Sequence, residues 1–411
     1  MTDVRFNDDF GFDFAIRCAL NGVAYRMAEV GEVLATGPPV EAGDLDGWFT
    51  AWTGRGRRVR RVAEAAEAAG RRTSAASAYL RAANYAFAGF WYVLGTSEPE
   101  RAPAAWREHR DAFEAAARLW PTPVERLAIP FEGAALDGYL FHPPGVGSAR
   151  PLAVIVNGLD TPISDGMMIG VQDAVDRGWR ALVFDGPGQG HALYASGLTA
   201  RHDWEAVLGP VLDMVLARPD VDPDRVALIG VSHGGYLGAR AAAHDPRVHA
   251  LVLDPGIMRV VDATLAQLPD DLVAAFRAGD ADAVARVLAE REPDSPDLRF
   301  AAVKAREPWG LETSLADALA GLARMDLNGM APRVRCPALV LDPEQAEAWP
   351  GQSREVAAAL GGPTRLELFS AEDGAGLDCE ILAPQVRNQR VFDWLEATLG
   401  DAVGTDGGRL A

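Results

Sequence analysis

The residue best placed for covalent chemistry is Ser232, in the run Gly230-Val231-Ser232-His233-Gly234. A serine hydroxyl is a weak nucleophile until a base, an anion-binding pocket and a fixed geometry surround it. The run supplies the geometry. Val226–Gly230 is an apolar stretch of strand length, and Gly234-Gly235-Tyr236 opens a helical pattern, so Ser232 falls on a strand–turn–helix junction. The turn is so sharp that only small residues fit two positions either side of the serine. It lifts the side chain above the sheet edge, at a helix N-terminus whose dipole favours negative charge. The backbone N–H of His233 then faces a developing oxyanion. The competing reading is a small-residue turn with no nucleophile, and the place of the strand, fifth in its sheet order, argues against it.

A second oxyanion donor is expected from Val156-Asn157-Gly158-Leu159-Asp160, the loop after the third strand. Gly158 allows close backbone approach, which makes the Leu159 N–H the donor. Asp160 points near the same pocket, or else caps the next helix.

These residues need a scaffold, and the chain shows three zones. Residues 1–124 read as helical. Val59, Val62, Ala63 and Ala66 are expected on one helical face, and Tyr79–Leu94 is apolar nearly all round, as in a helix buried on several sides. From 125 to 256 strands and helices alternate. Glu125–Phe131 and Leu136–His142 form an expected hairpin around Glu132-Gly133-Ala134. Leu152–Asn157, Arg180–Asp185, Val226–Gly230 and Val248–Asp254 are expected strands. Gly166–Arg177, Asp203–Ala217 and Gly234–His244 are the helices between them. Such alternation means a parallel sheet covered on both faces. Residues 257–333 read as a helical insertion. The core resumes over 334–400 with strands at Pro337–Asp342 and Thr364–Phe369 and a helix at Gln385–Leu399. Residues 401–411 read as a flexible tail.

Composition narrows the function classes. Hydrophobic residues make up 49% and charged residues 24% of 411, ordinary for a globular protein. The formal net charge of −19 argues against nucleic acid and anionic membrane as partners, since both demand basic surface. Cys18, Cys336 and Cys379 are isolated, and no Asp, Glu, His or Cys spacing suits a metal. Gly186-Pro187-Gly188-Gln189-Gly190 lacks the ending of a phosphate loop, so no nucleotide or other cofactor is expected. The N-terminus has no apolar leader and no segment reaches spanning length, which gives the expectation of a cytoplasmic, soluble protein.

Several stretches together resemble the α/β hydrolases related to the pseudooxynicotine-type carbon–carbon hydrolases and the FrsA-like esterases. They are Phe184-Asp185-Gly186-Pro187-Gly188-Gln189-Gly190, Val221-Asp222 through Gly235, and Arg240 through Arg247, with Arg81 to Tyr85 in the helical zone. Asn157-Gly158-Leu159-Asp160 is similar too, where the carbon–carbon hydrolases carry an acidic residue. The resemblance spans about residues 45–398. It implies an α/β-hydrolase fold, an eight-stranded, mostly parallel sheet with a helical N-terminal cap and a helical lid. It also implies a homodimer and a Ser-Asp-His triad, with the acid after the seventh strand and the histidine after the eighth. Neither triad partner is present. Ala346 stands where the family places its Asp, and Asp378 where it places its His. The seven histidines are His109, His142, His191, His202, His233, His244 and His249, and none lies further along the chain.

Loss of a triad histidine costs a serine protease about a millionfold in turnover. An aspartate is a weaker base, with a reference pKa of about 3.9 against about 6.5 for His, a gap of about 3.5 kcal/mol that burial can narrow. Three readings stay open. In the first, Asp378, with Asp160, does acid/base work on a substrate held in the oxyanion pocket, and Ser232 donates a hydrogen bond or relays a proton. Hydrolysis, elimination, cyclisation and carbon–carbon cleavage all fit such a site. In the second, His191 or His233 rebuilds a serine hydrolase, with Asp254 as the acid. In the third, the chain binds without catalysing. The cap aromatics, Tyr85 and Trp91 among them, suit an apolar ketone, ester or thioester, although packing within the cap is expected to claim most of them. The first reading is preferred, because Asp378 replaces His with an ionisable group.

Overall fold

The structure is a computed structural model that describes residues 4–145 and 149–400. The expected tail, 401–411, lies outside the described residues. Eight strands form one sheet: β1 Val124–Phe131, β2 Ala134–Phe141, β3 Arg150–Val156, β4 Arg180–Phe184, β5 Val221–Val231, β6 Ala250–Asp254, β7 Ala338–Pro343 and β8 Thr364–Phe369. Their spatial order is β1-β2-β4-β3-β5-β6-β7-β8. β2 runs antiparallel to both β1 and β4, and the remaining neighbours are parallel. The β1–β2 turn is two residues long. Glu132 and Gly133 both have positive φ, at 45° and 83°, the geometry that matches strand twist in a tight hairpin.

The central strands read as unbroken apolar runs because both faces are covered, and alternate residues serve two cores. Ala153 and Ile155 of β3, Val183 of β4, Ile229 of β5 and Val252 of β6 pack into a core continuous with the N-terminal helices. Val154, Leu182, Leu228 and Leu253 face the opposite way, into a core shared with the insertion.

Five longer helices precede the sheet or pack at its start: Phe10–Asn21, Val30–Leu34, Leu45–Ala68, Arg72–Phe90 and Ala102–Leu119. Arg72–Phe90 carries most of the stretch expected to be buried on several sides, and from Ala78 to Phe90 only Arg81 is not buried. Its neighbour Leu45–Ala68 differs from expectation. Trp52, Gly56, Val59 and Ala63 form the buried row, while Val62 is 55% exposed. One step along a helix turns a side chain by about 100°, which carries Val62 off the face that Val59 and Ala63 share.

Between β6 and β7 lie the helices Val261–Leu265, Asp270–Arg277, Ala281–Arg291, Pro296–Arg306 and Leu315–Ala323. Pro296–Arg306 reaches the N-terminal helices, with Phe300 and Tyr92 ring centroids 4.9 Å apart and Val303 against the cluster of Phe49, Phe87 and Phe90. The helix expected over 166–177 is a wide turn, Met167–Val171, followed by Gln172–Asp176. Gly170 breaks it where the chain passes the Phe392 ring of the closing helix Pro384–Leu399. No described helix is long and apolar enough to cross a membrane.

The strand order decides where the site forms. β3 lies between β4 and β5, so the chain leaves its ends in opposite directions and opens a crevice at their carboxyl ends. Val156 pairs with Gly230, and Val231 with Asp254, which brings three loops to Ser232.

Candidate active site

Ser232 sits at φ 55°, a left-handed conformation rare for a residue with a side chain. Its N–H donates to Asp254 O at 2.7 Å. The surrounding glycines are required by contact. A Cβ on Gly230 would lie 2.0 Å from Gly234 O, one on Gly234 2.1 Å from Val156 O, and one on Gly235 2.1 Å from Pro255 O. The elbow is therefore locked into the ends of β3 and β6. Strain of this kind costs about 1–3 kcal/mol and persists where surrounding packing over-determines it.

The loop after β3 closes on the serine. A Cβ on Gly158 would fall 3.2 Å from Ser232 Oγ, so glycine is what lets the loop backbone approach. Leu159 is buried at the next position. Gln189 holds this loop. Its Nε2 donates to Asn157 O at 2.7 Å and Gly158 O at 3.0 Å, and its Oε1 accepts from Gly186 N at 2.7 Å. Asn157 Nδ2 donates to Pro162 O at 3.1 Å and closes the far side. In the sequence Gln189 is only the lone amide of a glycine-rich turn, and its partners lie about thirty residues away along the chain.

Asp378 lies on the turn after β8. Its Oδ2 accepts from Glu347 N at 3.0 Å, and Oδ1 is buried without a hydrogen-bond partner among the described residues. Burial, opposed by the amides of Glu347 and Ala348, pushes its pKa above the ordinary value. The next residues, Cys379 at φ 53°, Glu380 at φ 48° and Leu382 at φ 74°, are all left-handed. A buried polar knot pins them. Arg387 pairs with Asp254 and donates to Ile169 O at 2.7 Å and Asn388 Oδ1 at 2.6 Å. Glu380 is fully buried beside it, and burial together with Asp254 pushes its pKa up against the pull of Arg387. Cys379 Sγ reaches Asp254 O at 3.6 Å, the same oxygen that accepts the Ser232 N–H. The β8 turn and the elbow thus meet at one carbonyl. Among the described residues no carboxylate or imidazole is hydrogen-bonded to Ser232 Oγ.

The other residues singled out by sequence are spread more widely. Asp160 is half-buried and is not the cap of the following short turn, which begins after Pro162. Its charge acts on the His233 ring. That ring meets Trp349 edge-on at 5.2 Å, its Nδ1 is buried without a partner, and burial lowers its pKa so that it is neutral. The His191 ring packs on Trp106 at 5.6 Å, on the seam with the N-terminal helices, with Arg110 and Asp137 as its charged neighbours. Asp254 is fully buried, with its side chain committed to Arg387 rather than to a histidine. Tyr85 is corrected to a cap-core residue. It is fully buried, and its hydroxyl donates to Glu32 and accepts from Glu29 N. Trp91 is half-buried between Phe14 and Phe87.

Two covers close over these loops. The N-terminal helix Phe10–Asn21 brings Cys18 near Asp160 and Asp165, and its Asn21 Oδ1 accepts from Leu382 N at 2.9 Å. The insertion supplies the second cover, tied down where Ala200 N donates to Pro308 O at 2.7 Å. Two surface hollows lie elsewhere, between the long N-terminal helices and beneath β6, and neither is lined by Ser232.

An eight-stranded sheet with a strained serine elbow after its fifth strand and a glycine loop against the serine defines an α/β hydrolase. The chain belongs to the FrsA-like esterase family, matching "Esterase FrsA-like" over residues 43–292. It is similar to Hydrolase LUC6 of Fusarium sp, 31% identical over 408 residues, or 95% of this chain and 96% of that one. It is also similar to 20-hydroxy-prefusarin hydrolase FUS2 of Gibberella moniliformis, 30% identical over 414 residues, covering 96% and 97%. Among solved structures, 2,6-dihydroxy-pseudo-oxynicotine hydrolase shares the fold at a TM-score of 0.72 and 20% identity, over 94% of this chain and 97% of that one. The protein is a hydrolase-family enzyme.

Proposed function

We propose that the enzyme acts on a small apolar carbonyl compound of secondary metabolism, a ketone, ester or thioester, at a site that works without a triad histidine. Leu159 and His233 N–H groups hold the substrate oxygen. Asp378 is the base, Asp160 the second carboxylate, and Ser232 a hydrogen-bond donor or proton relay. In the hydrolytic form Asp378 takes a proton from water as the hydroxide adds to the carbonyl carbon. The oxyanion forms on the two N–H groups, and its collapse returns the proton to the leaving group. A cytoplasmic homodimer is part of this reading, which sedimentation of the purified chain addresses.

The observation that carries the reading is the Asp378 carboxylate. One oxygen is fixed by backbone N–H, the other is buried and unpartnered, and its turn packs on the carbonyl that holds the Ser232 amide. Relatives named as hydrolases support the reaction class, and one of them is named for 20-hydroxy-prefusarin. The test is labelling by a fluorophosphonate, followed by intact-protein mass. The expected result is labelling of Ser232 at least about 100-fold slower than in a Ser-His hydrolase, because a carboxylate activates an alcohol less well. Rapid stoichiometric labelling would favour a rebuilt serine hydrolase and overturn the proposal.

A further inference from the structure

Thr161 follows a tight turn at Leu159 and Asp160, in the loop after β3. The turn folds Thr161 back over Gly158. A Cβ on Gly158 would lie 2.8 Å from Thr161 Oγ1, 3.1 Å from Ser232 Cβ and 3.2 Å from Ser232 Oγ. The two hydroxyls therefore flank the same glycine. Atoms that share a neighbour at that range are close enough for one substrate oxygen to meet both.

The Thr161 hydroxyl is held in place and has no partner. Thr36, Thr53, Thr96 and Thr313 each turn theirs onto a backbone carbonyl. Thr161 Oγ1 makes no hydrogen bond among the described residues. Of residues 157–164 only Asp160 and Thr161 are not buried, so these are the side chains the loop leaves accessible. The backbone beneath is held from both sides. Pro162 disfavours helical backbone at Thr161, and Asn157 Nδ2 donates to Pro162 O at 3.1 Å. Gln189 clamps Asn157 O and Gly158 O. A β-branched side chain has few χ1 choices, so a threonine on a clamped backbone keeps its hydroxyl in one direction.

We propose that Thr161 is a third oxyanion donor, its hydroxyl donating to the substrate oxygen that the Leu159 and His233 N–H groups hold. This rests on the oxyanion pocket of the reading above. A donor set in advance costs no reorganisation when charge builds on that oxygen, and removal of one such donor costs an enzyme about 10²–10³ in turnover. Thr161 acts on the charged oxygen of the transition state, so it raises rate more than affinity. Such a donor offsets part of what a base weaker than histidine loses.

The test is phosphonylation of Ser232 by an alkyl fluorophosphonate in the full chain, in Thr161→Val and in Thr161→Ser, followed by intact-protein mass at several reagent concentrations. Ser232 Oγ adds to phosphorus, fluoride leaves, the hydroxyl proton passes to the base of the site, and charge builds on the phosphoryl oxygen. Valine has the shape of threonine without the hydroxyl, and serine keeps the hydroxyl. Circular dichroism checks each fold. Thr161→Val is expected to lower the limiting rate at least about tenfold, with the half-saturating concentration within about twofold of wild type. Thr161→Ser should label faster than Thr161→Val. A loss of less than about tenfold in folded Thr161→Val overturns the role, and so does a loss carried by the half-saturating concentration instead. A serine variant no faster than the valine one overturns it too. A fast wild type contradicts Asp378 as the base, while the same loss in Thr161→Val still supports the donor. A wild type that is not labelled at all contradicts the oxyanion pocket, and this inference with it.

Discussion

Gln189 shows how much of the site depends on a side chain that never meets the substrate. Its amide satisfies two carbonyls of the oxyanion loop and one amide of its own turn, all in the interior. Leucine at this position would leave Asn157 O and Gly158 O without partners, at about 1–3 kcal/mol each. Gln189→Leu is therefore expected to lower stability by about 2–5 kcal/mol in urea unfolding. Turnover should fall by more than about tenfold, because one oxyanion donor rides on this loop. Wild-type stability and turnover would remove Gln189 from that role. Ser232 was legible in the sequence because strand, glycines and serine are contiguous. Gln189 was not, because its partners come from the loop after β3 and no local pattern announces the pairing. The histidines taught the same lesson in reverse. His191 follows the fourth strand as an active-site residue should, yet Trp106 claims its ring.

At the scale of elements, the sequence fixes strands better than the turns between them. β3, β4 and β6 are apolar on both faces and the β8 strand matches its expected bounds, whereas the helix expected over 166–177 breaks at Gly170, since periodicity carries no record of what packs against it. The turn after β4 has a titration of its own. Asp185 accepts from His191 N at 2.8 Å, its other oxygen is buried unpartnered, and burial pushes its pKa up to about 7 from 3.8. The folded chain thus keeps a proton that the unfolded chain gives up. Stability contributed here is greatest at low pH, falls as pH rises from about 4, and is lowest above about 7. Asp185→Asn keeps an acceptor for His191 N and removes the ionisation. Urea midpoints measured from pH 5 to pH 8 should fall less steeply in the variant, which should exceed wild type by roughly 1–4 kcal/mol at pH 8. Parallel curves would show that Asp185 stays ionised in the fold.

Over the whole molecule, the two covers do chemical work by excluding water. The N-terminal helix meets the β8 turn through Asn21, and the insertion is tied to the chain after β4 where Ala200 N donates to Pro308 O. Neither contact can be read from composition, although the helical character of both covers can. The enclosure matters because an aspartate in water is too weak a base to stand in for histidine, and burial raises it. It also explains why the aromatic Tyr85 belongs to the cap interior: the long helices needed a core of their own before they could cover a site. The central claim is that Asp378, held by the Glu347 amide with one oxygen free, is the base. The most direct measurement is the pH dependence of kcat/KM for Asp378→Asn and wild type, on whichever ester or ketone the wild type turns over. Asparagine keeps an acceptor for Glu347 N, so the fold should survive. The account predicts that wild-type activity is lost as pH falls through a carboxylate pKa above the ordinary 3.8. It predicts at least about a hundredfold lower kcat/KM in the variant, with that limb abolished. Wild-type turnover with the same acid limb in Asp378→Asn would contradict it.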